Sequence, residues 1–344
     1  MRAALVTGAG RLELVDVGEP RPAPSCVVVE VRYCGVCGSD VAAYRTGHLL
    51  NPAVCGHEWT GTVRAVGPDV TGLREGDRVV VGVAPPCGRC PECTSGRSAT
   101  CRVAFAMLLG RDPAAPPHGG FARAIAVDAG RVVKADPALT DEEAAQVEPT
   151  AIAFRAVRRS GVGLGDTAVV QGAGPIGLLT LQVARAAGAG TVVVVEPAES
   201  RRELALQLGA HVAVPPGEEA ARAVLEVTGG VGADVVFECA GAAPLVQTAV
   251  DLTRRGGVMA MIGFVEGTAT IDAGAWIGKD VRVVASLGFA HEDVASTMRL
   301  IADGRVRVTP LHTRTVGLEG LEAAFADLAG GRSADVKVLV DPSV

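Results

Sequence analysis

Residues 167–197, TAVVQGAGPIGLLTLQVARAAGAGTVVVVEP, form a complete pattern of strand, glycine loop, helix and second strand. The first apolar run predicts a buried strand, and the helix that follows returns the chain to a second apolar run, TVVVV. A helical crossover of this kind joins parallel strands. Further continuous apolar runs, ADVVFECAG (233–241) and GGVMAMIGF (256–264), extend the series. This region therefore predicts a doubly wound α/β domain.

The glycine loop has the spacing of a dinucleotide-binding turn. Gly172 would make the tight turn, Gly174 would let the backbone approach a pyrophosphate, and Gly177 would let helix and strand pack closely. The helix then starts with Pro175 and Ile176, and free amides at its N-terminus can bind the anion. Spacing and context together favour a dinucleotide cofactor over an ordinary turn.

The residue at the end of the second strand bears on which dinucleotide is bound. Glu196 can accept hydrogen bonds from an adenosine ribose and would repel a 2′-phosphate, so NAD is favoured over NADP. A solvated glutamate is the alternative. Arg201 and Arg202 follow on the next helix, where they are most simply a solvated face. Because one of them could meet a 2′-phosphate, NADP stays open as the less favoured coenzyme.

The 344 residues predict two domains, since a single core rarely grows this large. From Met1 to about Asp141 the chain is a series of short strands and turns, such as CVVVEVRYCGVC (26–37) and GDRVVVGV (76–83). The boundaries we predict are 1–146 with 286–344 for the mainly β domain, and 147–285 for the α/β domain. Two amphipathic helices and a last strand in the tail should return to the first domain.

Composition narrows the possible partners and location. The formal net charge is −6 and no basic stripe is visible, which argues against nucleic acid or an anionic membrane as the main partner. The apolar runs are too short to span a bilayer. The N-terminus, MRAALVTGAGRLELVDV, lacks the pattern of a signal peptide. We therefore expect a cytoplasmic protein with reduced cysteines.

Four cysteines lie close together in PPCGRCPECTSGRSATC (85–101): Cys87, Cys90, Cys93 and Cys101. This spacing can wrap one tetrahedral zinc ion, and glycines between the ligands let the backbone turn. Free thiols, a disulfide pair and a redox centre are the alternatives, and the reducing compartment favours zinc. A site filled by four protein ligands has no room for substrate, so this zinc would be structural.

A second set of candidate ligands lies in YCGVCGSD (33–40) and VCGHEWTG (54–61). Cys37, His57 and a carboxylate would match a catalytic zinc, which takes about three protein ligands and keeps one position open. Composition alone leaves a metal site and ordinary buried side chains equally open, because buried cysteine often behaves as a small apolar residue.

The order of these motifs resembles the zinc-dependent medium-chain alcohol dehydrogenases over nearly the whole chain. CGVCGSD, GHEWTGTVRAVG, GDRV, the cysteine lobe, VEPTA (147–151) and GAGPIG (172–177) follow one another as in that family, and the polyol branch is the nearest. The resemblance implies a GroES-like β-barrel catalytic domain with a zinc lobe at 87–101, and a Rossmann domain. It implies Cys37 and His57 as catalytic zinc ligands, Glu58 as a ligand or close carboxylate, and Glu148 at or beside the zinc, for two zinc ions per chain.

The mechanism that follows is zinc-assisted hydride transfer between NAD and an alcohol, with ketone reduction as the reverse. Zinc would lower the pKa of the substrate hydroxyl, Ser39 would relay the proton, and Asp40 would orient His57 or a backbone amide. Two positions depart from the family pattern. Ala42 replaces a histidine that ends the relay in many relatives, and Cys55 replaces a large aliphatic residue.

The function we expect is a zinc- and NAD-dependent secondary alcohol or polyol dehydrogenase acting on a small molecule. One alternative is a biosynthetic ketone reductase that uses NADPH. An alternative of another class is a non-catalytic nucleotide-binding protein of the same fold, since fold alone does not establish activity. The resemblance also implies a homodimer or homotetramer joined at the edge of the dinucleotide sheet, for which VRVVASLG (281–288) is a candidate. The particular alcohol stays open.

Overall fold

The computed structural model describes residues 1–111, 115–265, 267–331 and 333–344. The chain divides into a first unit of Met1–Glu148, Ala290–Ala302 and Val308–Val344, and a second unit of Pro149–Phe289 and Asp303–Arg307. The predicted boundaries placed 303–307 with the tail in the first domain. The structure groups this segment with the second unit, where the side chain of Gln182 hydrogen-bonds both the N–H and the C=O of Arg307.

Strands and helices are numbered along the chain. The strands are β1 (Arg2–Gly8), β2 (Arg11–Asp16), β3 (Cys26–Gly35), β4 (Glu58–Val66), β5 (Arg78–Val81), β6 (Ala124–Asp128), β7 (Val132–Lys134), β8 (Thr167–Gln171), β9 (Thr191–Val195), β10 (Val212–Val214), β11 (Ala233–Glu238), β12 (Thr253–Met261), β13 (Arg282–Ala285), β14 (His312–Val316) and β15 (Lys337–Val340). The helices are α1 (Gly38–Thr46), α2 (Pro91–Thr94), α3 (Arg102–Leu108), α4 (Asp141–Ala144), α5 (Val147–Ser160), α6 (Pro175–Ala186), α7 (Glu199–Gln207), α8 (Glu218–Val227), α9 (Ala243–Leu252), α10 (Ala273–Lys279), α11 (His291–Ala302) and α12 (Leu321–Ala329).

The first unit is built on a seven-stranded sheet. Its strand order is β14-β15-β3-β4-β5-β7, with β6 also paired to β3, and β1 and β2 form a separate antiparallel hairpin. The long strand β3 is central, since it pairs antiparallel with β4, β6 and β15. Residues at the ends of β3, β4 and β15 are thereby brought side by side. The β14 strand was not predicted from the sequence.

The core of the first unit lies between this sheet and α12. Alternate valines of β3, Trp59 of β4 and Phe121 are buried together with Phe325 of α12. The Phe325 ring meets Tyr44 of α1 edge-on at 5.6 Å between centroids, and meets Phe121 at 6.0 Å. Aromatic pairs in this geometry add to the stability gained from burial. Helix α1 is thus anchored to the core through α12.

The second unit is a six-stranded parallel sheet in the order β10-β9-β8-β11-β12-β13. This is the doubly wound arrangement, in which the strand order reverses between β8 and β11. Ligands bind at the carboxyl ends of the strands at such a reversal. Valines on β8, β9 and β11 form the buried core with α8 and α9. The parallel α/β fold predicted from residues 167–197 is confirmed.

The pattern of Thr140 followed by Glu143, with helix-forming residues after it, predicts a capped helix, and the structure divides this stretch into two helices. Thr140 and Glu143 do form a reciprocal cap, with Glu143 N–H donating to Thr140 Oγ1 and Thr140 N–H donating to Glu143 Oε2. The capped helix is the single turn α4, however, and a new helix starts at Val147. Among the described residues, no helix is long and apolar enough to cross a membrane.

Candidate functional site

Three different ligand types meet in the first unit. The sulfur of Cys37, a ring nitrogen of His57 and a carboxylate oxygen of Glu58 all lie within 4.8 Å of one another. Cys37 immediately precedes α1, His57 immediately precedes β4, and Glu58 is the first residue of β4. The structure therefore brings together three of the four residues predicted for the catalytic metal.

Hydrogen bonds hold the backbone around Cys37 and the ring of His57 in place. The N–H of Cys37 donates to Asp40 Oδ2 at 3.2 Å, and the N–H of Gly56 donates to Asp40 Oδ1 at 3.3 Å. Asp40 is fully buried and joins the two ligand segments. The His57 ring places Nδ1 2.9 Å from the carbonyl of Val54. Because a carbonyl can only accept, Nδ1 carries the hydrogen and Nε2 is left to bind a metal.

Glu58 is held by a buried lysine. Lys337 Nζ donates to Glu58 Oε2 at 2.6 Å and to the carbonyl of Val36 at 3.0 Å. Both side chains are 2% exposed. Gly35 lies opposite Glu58 in the β3–β4 register, and a Cβ at Gly35 would overlap the Glu58 carboxylate. The glycine thus makes room for the ion pair between neighbouring strands.

Glu148, the fourth predicted ligand, is the second residue of α5. It lies outside the group of ligand atoms that are within 4.8 Å of one another in the described part of the chain. Its pKa is raised to about 7, chiefly because burial disfavours the charged carboxylate; His57 and Lys337 oppose the rise, and the charge of Glu58 adds to it. The Glu148 carboxyl group therefore interacts electrostatically with His57 and Glu58, but it is not among the ligand atoms that lie within 4.8 Å of one another.

The residues of the predicted proton relay lie along α1. Ser39 is half-buried in the first turn of the helix, two residues after Cys37. Ala42 is half-buried one turn later, where relatives were expected to carry a histidine. His48 lies beyond the end of α1 and is exposed, with its N–H donating to Thr46 Oγ1. Cys55 is buried in the core of the first unit, as expected for a small apolar residue.

The four cysteines of the lobe form a second compact cluster. Their sulfurs lie within 4.8 Å of one another, with Cys90 Sγ 3.5 Å from Cys93 Sγ and 3.7 Å from Cys101 Sγ. These separations exclude a disulfide, whose sulfurs are about 2 Å apart. Four thiolates around one zinc at about 2.3 Å would place sulfurs roughly 3.8 Å apart. The lobe has the geometry of a tetrahedral metal site.

Local contacts prepare this lobe for a cation. Burial opposes ionisation of Cys101, but hydrogen bonds from the amides of Ala104 and Cys87 lower its pKa to about 6. A two-pronged ion pair from Arg102 to Glu92, at 2.7 and 2.9 Å, joins α3 to α2 across the lobe. The lobe can thus supply a thiolate near neutral pH while its two short helices stay together.

The dinucleotide loop of the second unit follows β8 directly, at the strand-order reversal. Gly172 has a φ of +92°, and its N–H donates to the carbonyl of Val195 at 2.8 Å. A Cβ at Gly177 would overlap the carbonyl oxygen of Gly172, whereas a Cβ at Gly174 would meet no atom within 4 Å. The first and third glycines are therefore needed for packing, and the second leaves open space at the start of α6, where Pro175 and Ile176 form the first turn.

Glu196, directly after β9, supports this loop. Its Oε2 accepts the N–H of Ala173 at 2.7 Å and its Oε1 accepts the N–H of Ala198 at 3.0 Å. The side chain is buried, and each oxygen keeps a second lone pair for another donor. Arg202 donates to the carbonyls of Glu196 and Pro197. Arg201 is half-buried on α7.

Comparison with known proteins agrees with both units. Residues 23–137 match the alcohol dehydrogenase GroES-like domain, and residues 175–303 match the zinc-binding dehydrogenase family. D-xylulose reductase A from Aspergillus oryzae (strain ATCC 42149 / RIB 40) is 34% identical, over 94% of this chain and 92% of the relative. The chain belongs to the zinc-dependent medium-chain polyol dehydrogenases. It is a zinc- and nicotinamide-dependent oxidoreductase of alcohols, as the sequence predicted.

Two solved structures show the same fold over the whole dehydrogenase. 2R,3R-butanediol dehydrogenase from Bacillus subtilis is 29% identical with a TM-score of 0.83, covering 99% of each chain. A dehydrogenase from Sinorhizobium meliloti 1021, described as zinc-binding and solved bound to NADP, is 31% identical with a TM-score of 0.85 over 99% of each chain. The predicted pairing of a GroES-like domain with a Rossmann domain is confirmed.

The donor chemistry of the first unit suits the zinc of this dehydrogenase family. With all three ionised, Cys37, Glu58 and Glu148 would carry three negative charges, against one positive charge on Lys337. A divalent cation would neutralise the remainder. Burial opposes the charge on Lys337, but Glu58, Cys37 and Glu148 raise its pKa. A sulfur, an imidazole nitrogen and carboxylate oxygens are ligands that zinc accepts.

Two residues that position Glu58 escaped the sequence prediction. Lys337 was part of an apolar terminal strand, and Gly35 was one of 44 glycines. The position of Lys337 within the apolar run VKVLV (336–340) could have signalled it, because a lysine in a buried strand needs a buried partner. Nothing in the sequence names Glu58 as that partner, since 279 positions separate the two residues.

Proposed function

We propose that Cys37 and His57 hold the catalytic zinc, with Glu58 and Glu148 as the carboxylates at and beside it. The convergence of Cys37, His57 and Glu58 within 4.8 Å carries this proposal. The four lobe cysteines would hold a second, structural zinc, which gives two zinc ions per chain. Asp40 fixes the backbone on both sides of the ligands, and the Val54 carbonyl selects the His57 tautomer.

Catalysis divides between bound groups and side chains. When bound, zinc supplies Lewis acidity toward a hydroxyl or carbonyl oxygen, and nicotinamide supplies the site that accepts or returns a hydride. Ser39, half-buried beside Cys37, would accept the hydroxyl proton and pass it toward solvent. Glu148, whose burial raises its pKa to about 7, can hold or release a proton near neutral pH. Ala42 provides no proton acceptor on α1, so the relay would continue through water.

We propose NAD as the coenzyme. The loop Gly172–Gly177, with Pro175 and Ile176 at the start of α6, would bind the pyrophosphate. The buried carboxylate of Glu196 keeps lone pairs for the ribose hydroxyls and would repel a 2′-phosphate. Arg202 is already held by two carbonyls, and Arg201 lies on α7 beside this position. Because one relative was solved bound to NADP, the affinities for NAD and NADP should be measured side by side.

We propose a polyol and its ketose or ketone as the substrate pair. D-xylulose reductases at 32–35% identity and a butanediol dehydrogenase at 29% support a substrate with neighbouring hydroxyl groups. A panel of diols, sugar alcohols, cyclitols and amino alcohols, each with NAD and NADP, would identify it by absorbance of the reduced coenzyme. Turnover of simple alcohols alone would contradict the polyol assignment.

The metal assignment is tested by Cys37→Ser. We expect the variant to retain the lobe zinc and lose the other zinc. Turnover should fall by more than about 100-fold, because replacing even a residue that only hydrogen-bonds a metal ligand costs up to about 100-fold. Cys26→Ser, a buried cysteine of β3 outside both clusters, should keep two zinc ions and normal turnover. Wild-type turnover in Cys37→Ser would refute the assignment.

We further propose a homo-oligomer located in the cytoplasm. The edge strand β13 is largely exposed, and Ile277 of the preceding helix α10 and Leu287, two residues after the strand, are 81% and 65% exposed. Unpaired edge strands readily pair with a second copy. The separated lobe sulfurs suit a reducing compartment, where zinc thiolates persist and disulfides are rare. Cell fractionation with an antibody would test the location.

A further inference from the structure

A basic cavity of about 400 Å³ lies in the second unit, away from the dinucleotide loop. Its lining includes Arg185, Arg305, Arg307 and His211. His211 directly precedes β10 and Gly190 directly precedes β9, so the cavity opens at the amino ends of the parallel strands. The dinucleotide loop follows the carboxyl end of β8. The two sites are therefore at opposite edges of the sheet.

Two of the arginines are positioned by their surroundings. Arg307 donates through Nη2 to the carbonyl of Gln207, and its backbone is fixed by the buried side chain of Gln182. The Arg185 guanidinium lies against Gly209, where φ is +104° and a Cβ would overlap Nη1. Two guanidinium groups from different segments thus converge on one cavity, and both retain further N–H donors.

The remaining donors are also directed by local contacts. The N–H of Val192 donates to His211 Nδ1 at 3.0 Å, so a neutral His211 carries its hydrogen on Nε2 and presents an N–H donor. Arg305 pairs with Asp303 at 3.1 Å, but both side chains are more than half exposed, and such pairs contribute little. The residues that line the cavity in the described part of the chain include no carboxylate.

We propose that this cavity binds a small anion carrying a phosphate group, either inorganic phosphate or a phosphate monoester. Guanidinium groups match phosphate oxygens in pairs of parallel hydrogen bonds. The volume fits a small molecule, and the net charge of −6 argues against a nucleic acid. The bound anion would join α6, the residue before β10 and the 303–307 segment. This binding is separate from the dehydrogenase reaction and does not rest on its residue assignments.

Isothermal titration with inorganic phosphate tests the site, using enzyme saturated with NADH so that the dinucleotide loop is filled. Chloride keeps the ionic strength constant. We expect saturable binding that the double variant Arg185→Gln, Arg307→Gln weakens by at least about tenfold, the effect of losing charge-assisted hydrogen bonds. Arg222→Gln, which removes an exposed arginine of α8, is the matched control and should bind phosphate as the wild type does.

A second variant guards against misfolding of the first. Ala186→Glu places a carboxylate in the lining while leaving the arginines intact, and it should also abolish binding. Glycerol 3-phosphate separates the two sources of the anion, and glycerol, which has no phosphate, is its control. Tighter binding of the ester than of phosphate identifies a monoester, and equal binding identifies free phosphate. No saturable binding by the NADH-saturated wild type, or wild-type binding by both variants, would overturn the proposal. Failure to bind NADH would appear separately and would count only against the proposed coenzyme site.

Discussion

At the residue scale, the least expected feature is the buried ion pair between Lys337 and Glu58. A lysine and a carboxylate that are both 2% exposed have lost nearly all their hydration, and their 2.6 Å contact must offset that loss. Removing one partner leaves the other charge buried and unpaired. The charge of an ionised Cys37 also contributes to raising the pKa of Lys337, so the lysine interacts electrostatically with a proposed metal ligand. The lysine is therefore tied both to stability and to the metal site.

We predict that Lys337→Met destabilises the first unit by about 3–5 kcal/mol, because it leaves the Glu58 charge buried and unpaired. The double variant Glu58→Gln, Lys337→Met should recover much of this loss. Trp59 and Trp276 are the two tryptophans of the chain, one in each unit. A Trp276→Phe background therefore lets Trp59 fluorescence report urea unfolding of the first unit alone.

The matched control for Lys337 is Lys134, whose pair with Asp77 is on the surface. Lys134 is 53% exposed and lies 2.9 Å from Asp77. Asp77 itself is 11% exposed, but it keeps the side chain and the N–H of Arg74 as partners when Lys134 is removed. Because the lysine is solvated and Asp77 is not left unpaired, Lys134→Met should cost only about 0–1 kcal/mol and shift the unfolding midpoint slightly. Equal shifts for the two lysine variants would show that burial of the Lys337 pair has no special energetic role.

Glu196 carries the second prediction at this scale. Glu196→Gln removes the negative charge but keeps an oxygen that can accept a backbone amide. The preference for NADH over NADPH, measured as the ratio of dissociation constants by nicotinamide fluorescence, should fall roughly 10- to 100-fold, as expected for charge-assisted hydrogen bonds. Glu199→Gln, an exposed change on α7, should leave the ratio unaltered. An unaltered ratio in Glu196→Gln would remove the basis for preferring NAD.

At the element scale, the cluster of Cys37, His57 and Glu58 depends on strand register. Gly35 at the end of β3 pairs with Glu58 at the start of β4, and β15 pairs with β3 through Leu339 opposite Gly35. These two pairings bring the first residues of β4 and β15 together. A register slip of one residue would turn Glu58 to the opposite face of the sheet. The sheet, rather than any single loop, therefore sets the position of the Glu58 carboxylate.

Sequence patterns predicted the elements better than the contacts between them. The glycine spacing at 172–177 and the parallel runs that follow it are local signals, and they were sufficient for the α/β fold. The strand β14, HTRTV, has no apolar run and is half-exposed, so it carries no such signal. The break between α4 and α5 escaped notice because helix-forming residues continue through it. The Lys337–Glu58 pair depends on tertiary register, which local patterns do not encode.

The cysteine lobe, which we propose binds the structural zinc, gives a prediction at this scale. Cys93→Ser should lower the metal content from two zinc ions to one and expose the lobe, because its short helices have almost no core of their own. Trypsin should then cut faster at the exposed Arg97. Cys239→Ser, in the second unit, should retain both zinc ions and the wild-type cleavage rate. Two zinc ions in Cys93→Ser would contradict a four-cysteine site.

At the scale of the whole molecule, the second unit leaves one side of its sheet open. β13 is the end strand and pairs only with β12 among the described strands, so half of its backbone groups lack a strand partner. Apolar side chains surround this edge, with Val283 39% and Leu287 65% exposed. An exposed strand edge with apolar neighbours favours pairing with another chain.

We predict that two chains associate through β13, giving a mass of at least twice 34.9 kDa by light scattering after size exclusion. Val283→Asp should reduce the oligomer, because it would bury a carboxylate without a partner at the paired edge. Val231→Asp, at a position that is 65% exposed between α8 and β11, adds the same charge elsewhere and should leave the mass unchanged. A monomeric wild type, or an unchanged mass for Val283→Asp, would show that β13 is not the site of association, and the exposed side chains at this edge would then require another explanation.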